Sequence, residues 1–181
     1  MNCYDRKSLE EAYQKGTKLK MMPFWGHKAK YDGVVDKSCF SQWFPCSFEI
    51  ENISYPSAEH FMMAEKARLF NDEENLKKIL ESPSPAKAKK LGRLVKNFDP
   101  KIWGRECFEI VYRGNLAKFD QNEGFKDFLL KTGNKIIVEA SPFDKIWGIG
   151  MNQHNEKVYN PLLWNGQNLL GFALMKVRDS F

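Results

Sequence analysis

The chain has 181 residues, 43% of them apolar and 28% charged, with a formal net charge of +5. That length buries a full core in one domain without disulfides or metal. No apolar run approaches the roughly 20 residues of a membrane span, which removes a membrane from the expected partners. The positive surplus favours anionic partners such as phosphates or nucleic acid without singling one out.

The start, "MNCYDRKSLEEAYQKGTKLKMM", is charged throughout and lacks the apolar stretch of a secretion signal, so the expected compartment is the cytoplasm. Within it, residues Ser8 to Lys15 read as an amphipathic helix ended near Gly16, and residues 1–21 read as an N-terminal extension. From Phe24 to Ile53, aromatic and β-branched residues alternate with the turn signals "YDGVVD" and "FPCS", predicting short strands and loops. "SFEIENISY" is the best strand in this stretch.

Ser57 is a good N-cap and opens a helix over residues 57–70. "NDEENLKKILESPSP" predicts a short helix capped at Asn71 or Asp72 and stopped by Pro83 and Pro85. Ser84, with Pro85 at the favoured first helical position, starts another over "PAKAKKLGRLVKNF". Asp99 and Pro100 repeat that device for a longer helix to about Lys118. Residues 122–132 make one more helix, closed by Gly133. "KIIVEA" is a buried strand, Ser141 to Gly166 is loop-rich, and Asn168 to Arg178 is helical. Mostly helix with a few strands that do not alternate regularly is α+β. The expected fold is a compact, mainly helical single domain with a small β-sheet, spanning residues 22–181.

The helix over 57–70 carries an anomaly. At about 100° per residue, Glu59, Met63, Lys66 and Phe70 share one stripe, while Glu65 and Arg68 point elsewhere. Glu59 and Lys66 are seven positions apart, too far for a helix-surface ion pair. Two charges on an apolar stripe either snorkel to water or line a polar cavity.

Elsewhere the richest loop is "SPFDKIWGIGMNQHN", in which Asp144 either caps a turn after Pro142 or serves chemistry. Gly148 and Gly150 suit a close backbone approach or a turn. Five tryptophans are present; Trp103 and Trp147, each followed by glycine, are core residues or flat walls on which a base stacks. The basic run "KAKKLGRLVKNFDPK" is a solvated face or a phosphate patch. Four cysteines and three histidines show no metal spacing, and no cofactor is expected. No GxSxG, P-loop, HExxH or kinase signature is present.

Taken together, "YPSAEHFMMAEK", "WGRECFEIVYRGNLAKF", "DKIWGIG" and "NLLGFALMKVR" resemble, in order and approximate spacing, the NADAR family, which includes riboflavin biosynthesis intermediate N-glycosidases. The likeness covers roughly residues 22–180. It implies cleavage of an N-glycosidic bond between ribose and a base or amine. The implied substrates are ADP-ribosylated guanine in DNA or RNA, or riboflavin-pathway ribosylamino-pyrimidine phosphates. By the resemblance, Glu59, Lys66 and Asp144 match the family's functional positions, Trp103 and Trp147 match its tryptophans, and Gly148 follows Trp147 in the same loop. Relatives often read "FSNF" where this chain has "FSQW", Phe40 to Trp43, and "WGDG" where it has "WGIG", which removes an acid at Ile149. Phe40 is taken as a substrate neighbour and Arg113 as a phosphate ligand.

The expected mechanism has Glu59 moving protons while Lys66, its ammonium destabilised by apolar neighbours, attacks C1′ of the opened sugar to give a Schiff base. Asp144 orients ribose hydroxyls or acts as a second base. Direct attack by water between paired carboxylates is the rival route. A non-catalytic reader of ADP-ribose or nucleic acid is the alternative from another class, and a structural domain without ligand is a third.

Overall fold

The structure, a computed structural model, describes residues 4–181. Among them are seven α-helices: α1 (Arg6–Gln14), α2 (Ala58–Leu69), α3 (Glu73–Leu80), α4 (Pro85–Gly92), α5 (Pro100–Asp120), α6 (Glu123–Leu130) and α7 (Leu169–Arg178). Four short strands complete the regular structure: β1 (Met21–Phe24), β2 (Phe48–Ile50), β3 (Ile53–Tyr55) and β4 (Ile136–Glu139). The fold is α+β and mainly helical, with its strands in two separate pairs. The chain packs as two compact units, Met1–Phe40 with Gly124–Phe181, and Ser41–Glu123. None of the described helices is long and apolar enough to cross a membrane.

In the first unit, β1 and β4 pair in parallel from Met21 opposite Ile136 to Phe24 opposite Glu139. Helix α7 lies against β4, and Asn168 fastens the junction: its side chain accepts from the Glu139 N–H at 2.9 Å and donates to the Ile137 carbonyl at 2.9 Å. Asn168 holds φ at 59°, a left-handed conformation that Asn tolerates better than most residues. Helix α1 starts two residues before the expected Ser8, because Asp5 and not Ser8 is the cap, accepting from the Ser8 N–H. Residues 1–3 of the expected extension lie outside the described residues. Within the described part, α1 buries Leu9 and Ala12, Arg6 Nη1 donates to the Gly166 carbonyl at 3.1 Å, and Met21 opens the parallel pair.

The second unit is built around α2, which packs against α3, α4 and α5. The expected single strand "SFEIENISY" is a hairpin, with β2 and β3 antiparallel and Phe48 opposite Tyr55. Glu51 and Asn52 both adopt positive φ, 53° and 61°, the geometry of a two-residue turn that matches strand twist. Phe48, Tyr55 and Phe61 then form an aromatic core beneath it, Phe61 standing edge-on to Tyr55 at 5.1 Å. Helix α4 stops at Gly92, earlier than expected, because side chains at the start of α3 capture the following segment. Asp72 Oδ2 accepts from the Lys96 N–H at 2.7 Å, and Asn75 Nδ2 donates to the Leu94 carbonyl at 3.2 Å. Those bonds replace the ones a longer helix would have made.

Candidate functional site

Helix α2 carries the two expected charges. Its first two turns are buried on nearly every side, from Ala58 through Ala64, because three helices surround it. The amphipathic stripe expected from the sequence is therefore only part of a mostly buried cylinder. Ser57 caps the helix as expected, accepting from the His60 N–H, and the same hydroxyl lies 2.7 Å from His60 Nδ1. The other ring nitrogen, Nε2, faces the Ser82 carbonyl at 3.1 Å. A carbonyl only accepts, so Nε2 carries the proton and Nδ1 accepts a hydrogen bond from the Ser57 hydroxyl. Burial holds this imidazole below its ordinary pKa.

Glu59 is 4% exposed. Its N–H donates to the Gln42 carbonyl at 2.9 Å, and the Gln42 side-chain carbonyl in turn accepts from Asn115 Nδ2 at 2.9 Å. Gln42 and Asn115 are themselves buried, and Asn115 Oδ1 has no hydrogen-bond partner among the described residues. One turn further along α5, the side chain of Lys118 is wholly buried and its Nζ donates to the Ser41 carbonyl at 2.9 Å. This polar layer of the second unit was not read from the sequence; Lys118 and Asn115 stood inside a helical run and nothing in their spacing set them apart.

Lys66 is half-buried. Its Nζ donates to the Gly92 carbonyl at 2.8 Å and stands 4.0 Å from the centre of the Phe98 ring and 5.6 Å from that of Trp103. Burial pushes its pKa down, and the nearby Arg93 guanidinium adds to the effect. The direction is the one expected, but the surroundings are an aromatic pair and a cation more than methionines. Phe98 escaped sequence reading; its one signal was an apolar residue just before the Asp99 cap, where a hydrophobic staple sits. Met63, between Glu59 and Lys66 on the stripe, is also buried and packs its thioether over Gly92. Trp103 thus stands beside Lys66. Arg113 reaches Glu65 at 3.4 Å, and Glu65 also holds Arg68. An exposed pair of that length contributes about 0–1 kcal/mol, so it ties the guanidinium only weakly.

The remaining expected residues belong to the first unit. Asp144 Oδ1 accepts from the N–H groups of Ile146 at 2.9 Å and Trp147 at 2.8 Å, which is the turn-capping geometry. Its Oδ2 has no partner among the described residues. Trp147 is half-buried, and its carbonyl accepts from Leu170. Gly148 is where a side chain is excluded: a Cβ there would lie 2.8 Å from the Glu139 carbonyl oxygen and 3.0 Å from that of Asp144. Phe40, expected beside the substrate, has no exposed surface. It stands edge-on to Phe24 and tilted against Phe128, each at 5.4 Å, which is a core position.

A mainly helical α+β chain with a half-buried lysine against two aromatic rings can be compared with known proteins on those terms. The NADAR domain profile matches residues 23–181. An N-glycosidase of Acanthamoeba polyphaga mimivirus is 50% identical over 145 residues, covering 77% of this chain and 85% of that protein. An N-glycosidase of Nostoc punctiforme is 30% identical over 141 residues, covering 78% and 83%. Among solved structures, the NMR structure of the E. coli protein YbiA superposes with a TM-score of 0.69 at 25% identity, over 89% of this chain and 84% of that one. The chain belongs to the NADAR family.

Proposed function

We propose that this protein is an N-glycosidase that hydrolyses the C1′–N bond of a phosphorylated ribosyl or ADP-ribosyl compound through a Schiff base on Lys66. The names of its mimivirus and Nostoc relatives support the hydrolase class. The observation that carries the choice of nucleophile is the setting of Lys66 Nζ: half-buried, beside Phe98, Trp103 and Arg93, with no carboxylate in ion-pair reach among the described residues. A lysine so placed gives up its proton more readily than in water, and the neutral amine is the nucleophile. Lys118 is the other buried amine of this unit, but its side chain has no exposed surface for a sugar to approach.

In this reading the ribose ring first opens, the C1′–O4′ bond breaking as O4′ takes a proton; the Nζ lone pair then adds to C1′ and gives up a proton to Glu59, and the C1′–N bond breaks as the base nitrogen leaves with a proton from Glu59, so that C1′ and Nζ are left joined as the imine. Water then adds to the imine, its proton returns to Glu59, and the C1′–Nζ bond breaks to release the sugar and the free amine. Trp103 supplies a face for the base, and Arg113 exchanges Glu65 for phosphate. ADP-ribosylated guanine and ribosylamino-pyrimidine phosphates both carry the ribose, phosphate and flat ring that these groups suit.

Borohydride added during turnover tests the route. A substrate-dependent mass adduct on Lys66 is expected; its absence from an actively turning-over sample would transfer the chemistry to direct attack by water.

A further inference from the structure

A cleft of about 760 Å³ opens in the first unit, and none of its lining residues belongs to α2. Its walls combine three lysines, Lys28, Lys30 and Lys37, with a single carboxylate, Asp36. Two exposed aromatic side chains, Trp25 at 45% exposure and Tyr159 at 56%, stand at its lining, the Trp25 ring tilted against Phe143 with 6.2 Å between ring centres. Phe24, the last residue of β1, and Phe128 form an apolar part of the wall.

Its place in the fold is informative. Strands β1 and β4 run parallel, and the cleft is lined by Phe24, by the segment that leaves β1, and by Gln153, His154 and Tyr159 from the long connection that leaves β4. Parallel strands present ligands at their carboxyl ends, where the connecting loops diverge.

The lysines are held differently. Lys37 Nζ is tied to the Pro23 carbonyl at 2.8 Å and gives the cleft a fixed positive charge. Lys30 Nζ rests 5.3 Å from the Tyr31 ring centre, while its N–H donates to Asp36 Oδ2 at 2.8 Å. Lys28 makes no ion pair among the described residues. The single acid is spent on the loop: Asp36 Oδ1 accepts from the Ser38 N–H at 2.8 Å. Burial raises the Asp36 carboxyl, but Ser38 and the Lys30 N–H outweigh that and leave it below its ordinary value. Ser38 belongs to the cleft lining, with its hydroxyl itself buried on the Asp36 side.

We infer that this cleft binds a nucleoside 5′-phosphate unit, with Lys28 and Lys30 on the phosphate and Trp25 or Tyr159 stacked on the base. A flat ring and an anionic group on one ligand satisfy the aromatic and the cationic sides together, which neither a simple anion nor an apolar compound does. The unit comes from a free nucleotide or from a nucleic-acid strand. The inference does not depend on Lys66 or on the glycosidase reading.

Isothermal titration of the full-length protein with AMP, adenosine, inorganic phosphate and a single-stranded oligonucleotide of eight thymidines tests it. AMP is expected to bind tighter than either adenosine or phosphate. The Lys28→Ala/Lys30→Ala double variant and the Trp25→Ala variant should each weaken AMP by ~10-fold or more, and the double variant should flatten the salt dependence. Both variants lie in exposed positions, and an unchanged thermal melt verifies that they fold. Lys66→Ala should bind AMP as the wild type does, separating this site from the proposed catalytic one. An oligonucleotide that outcompetes AMP assigns the cleft to a strand, and equal or weaker binding assigns it to a free nucleotide. Absence of AMP binding at millimolar concentration, or affinity untouched in both folded variants, would overturn the inference.

Discussion

Lys66 Nζ donates to the carbonyl of Gly92, the last residue of α4, at 2.8 Å. That carbonyl has no partner inside its own helix and sits at the negative end of the helix dipole, so the bond favours the charged amine. Burial first, and Arg93 second, favour the neutral one, and they prevail. The lysine is thus held by a bond that fixes its position while its surroundings lower its proton affinity.

The pH dependence of imine formation follows from that balance. A nucleophile must be deprotonated, so the rate should climb with pH and level off below the ordinary lysine value of 10.5. Arg93→Ala removes one of the two depressing influences, and should move the rising limb to higher pH with the plateau rate retained. Single-turnover rates from pH 6 to 10 measure both; an identical limb in wild type and variant would show that Arg93 does not act on this amine.

Substitution at Lys66 separates nucleophile from phosphate clamp. Lys66→Ala and Lys66→Arg should both abolish turnover, because a guanidinium stays protonated throughout and cannot attack. Partial activity in the arginine variant would fit a clamp instead. Glu59→Gln should lower kcat by about 10²–10⁴-fold, the usual contribution of a positioned acid or base, with binding retained. If the protein were a reader without catalysis, neither wild type nor variant would release sugar.

Two helix-interior glycines of α5 should respond oppositely to alanine. Gly104 has open space around a Cβ, so Gly104→Ala should stabilise by about 0.5–1 kcal/mol through helix propensity. At Gly114 the new Cβ would lie 2.5 Å from Phe61 Cδ1, and that ring is fixed edge-on against Tyr55. Overpacking costs typically about 1–3 kcal/mol and exceeds the propensity gain, so Gly114→Ala should be destabilised. Urea midpoints at constant slope report both, and a stabilised Gly114→Ala would mean that the Phe61 ring yields to the added methyl group.

These residues also mark what the sequence could disclose. Ser57, Ser84 and Asp99 announced three helices correctly because a cap is a local event, settled within four residues. The pairing of Met21 with Ile136 is not local, and a parallel pair between segments so far apart leaves no short-range signal. Residues 93–98 were read as helix since their propensities allow it; the bonds from Asp72 and Asn75 that redirect them come from another helix. At the site, the order of the four family blocks pointed to Lys66 and Glu59, and helical spacing pointed to their lack of a helical partner. Phe98, Arg93 and Gly92 needed coordinates, because α4 had to end before they could converge on the amine. Phe40 was misplaced for the same reason: an aromatic beside a polar motif reads alike in a pocket or in a core.

His60 gives a stability prediction with a definite sign. Its folded pKa is lowered by burial, so the unfolded chain binds the proton more tightly and protonation favours unfolding. The penalty is fully present below the folded pKa and disappears as pH rises through the ordinary value of 6.5. Wild-type stability should therefore increase between about pH 5 and 7. His60→Gln keeps an amide that can donate to the Ser82 carbonyl and accept from Ser57, yet it does not titrate in this range. Thermal melts across those pH values should show a smaller rise in Tm for the glutamine variant, and equal slopes would assign the pH response to groups other than this imidazole.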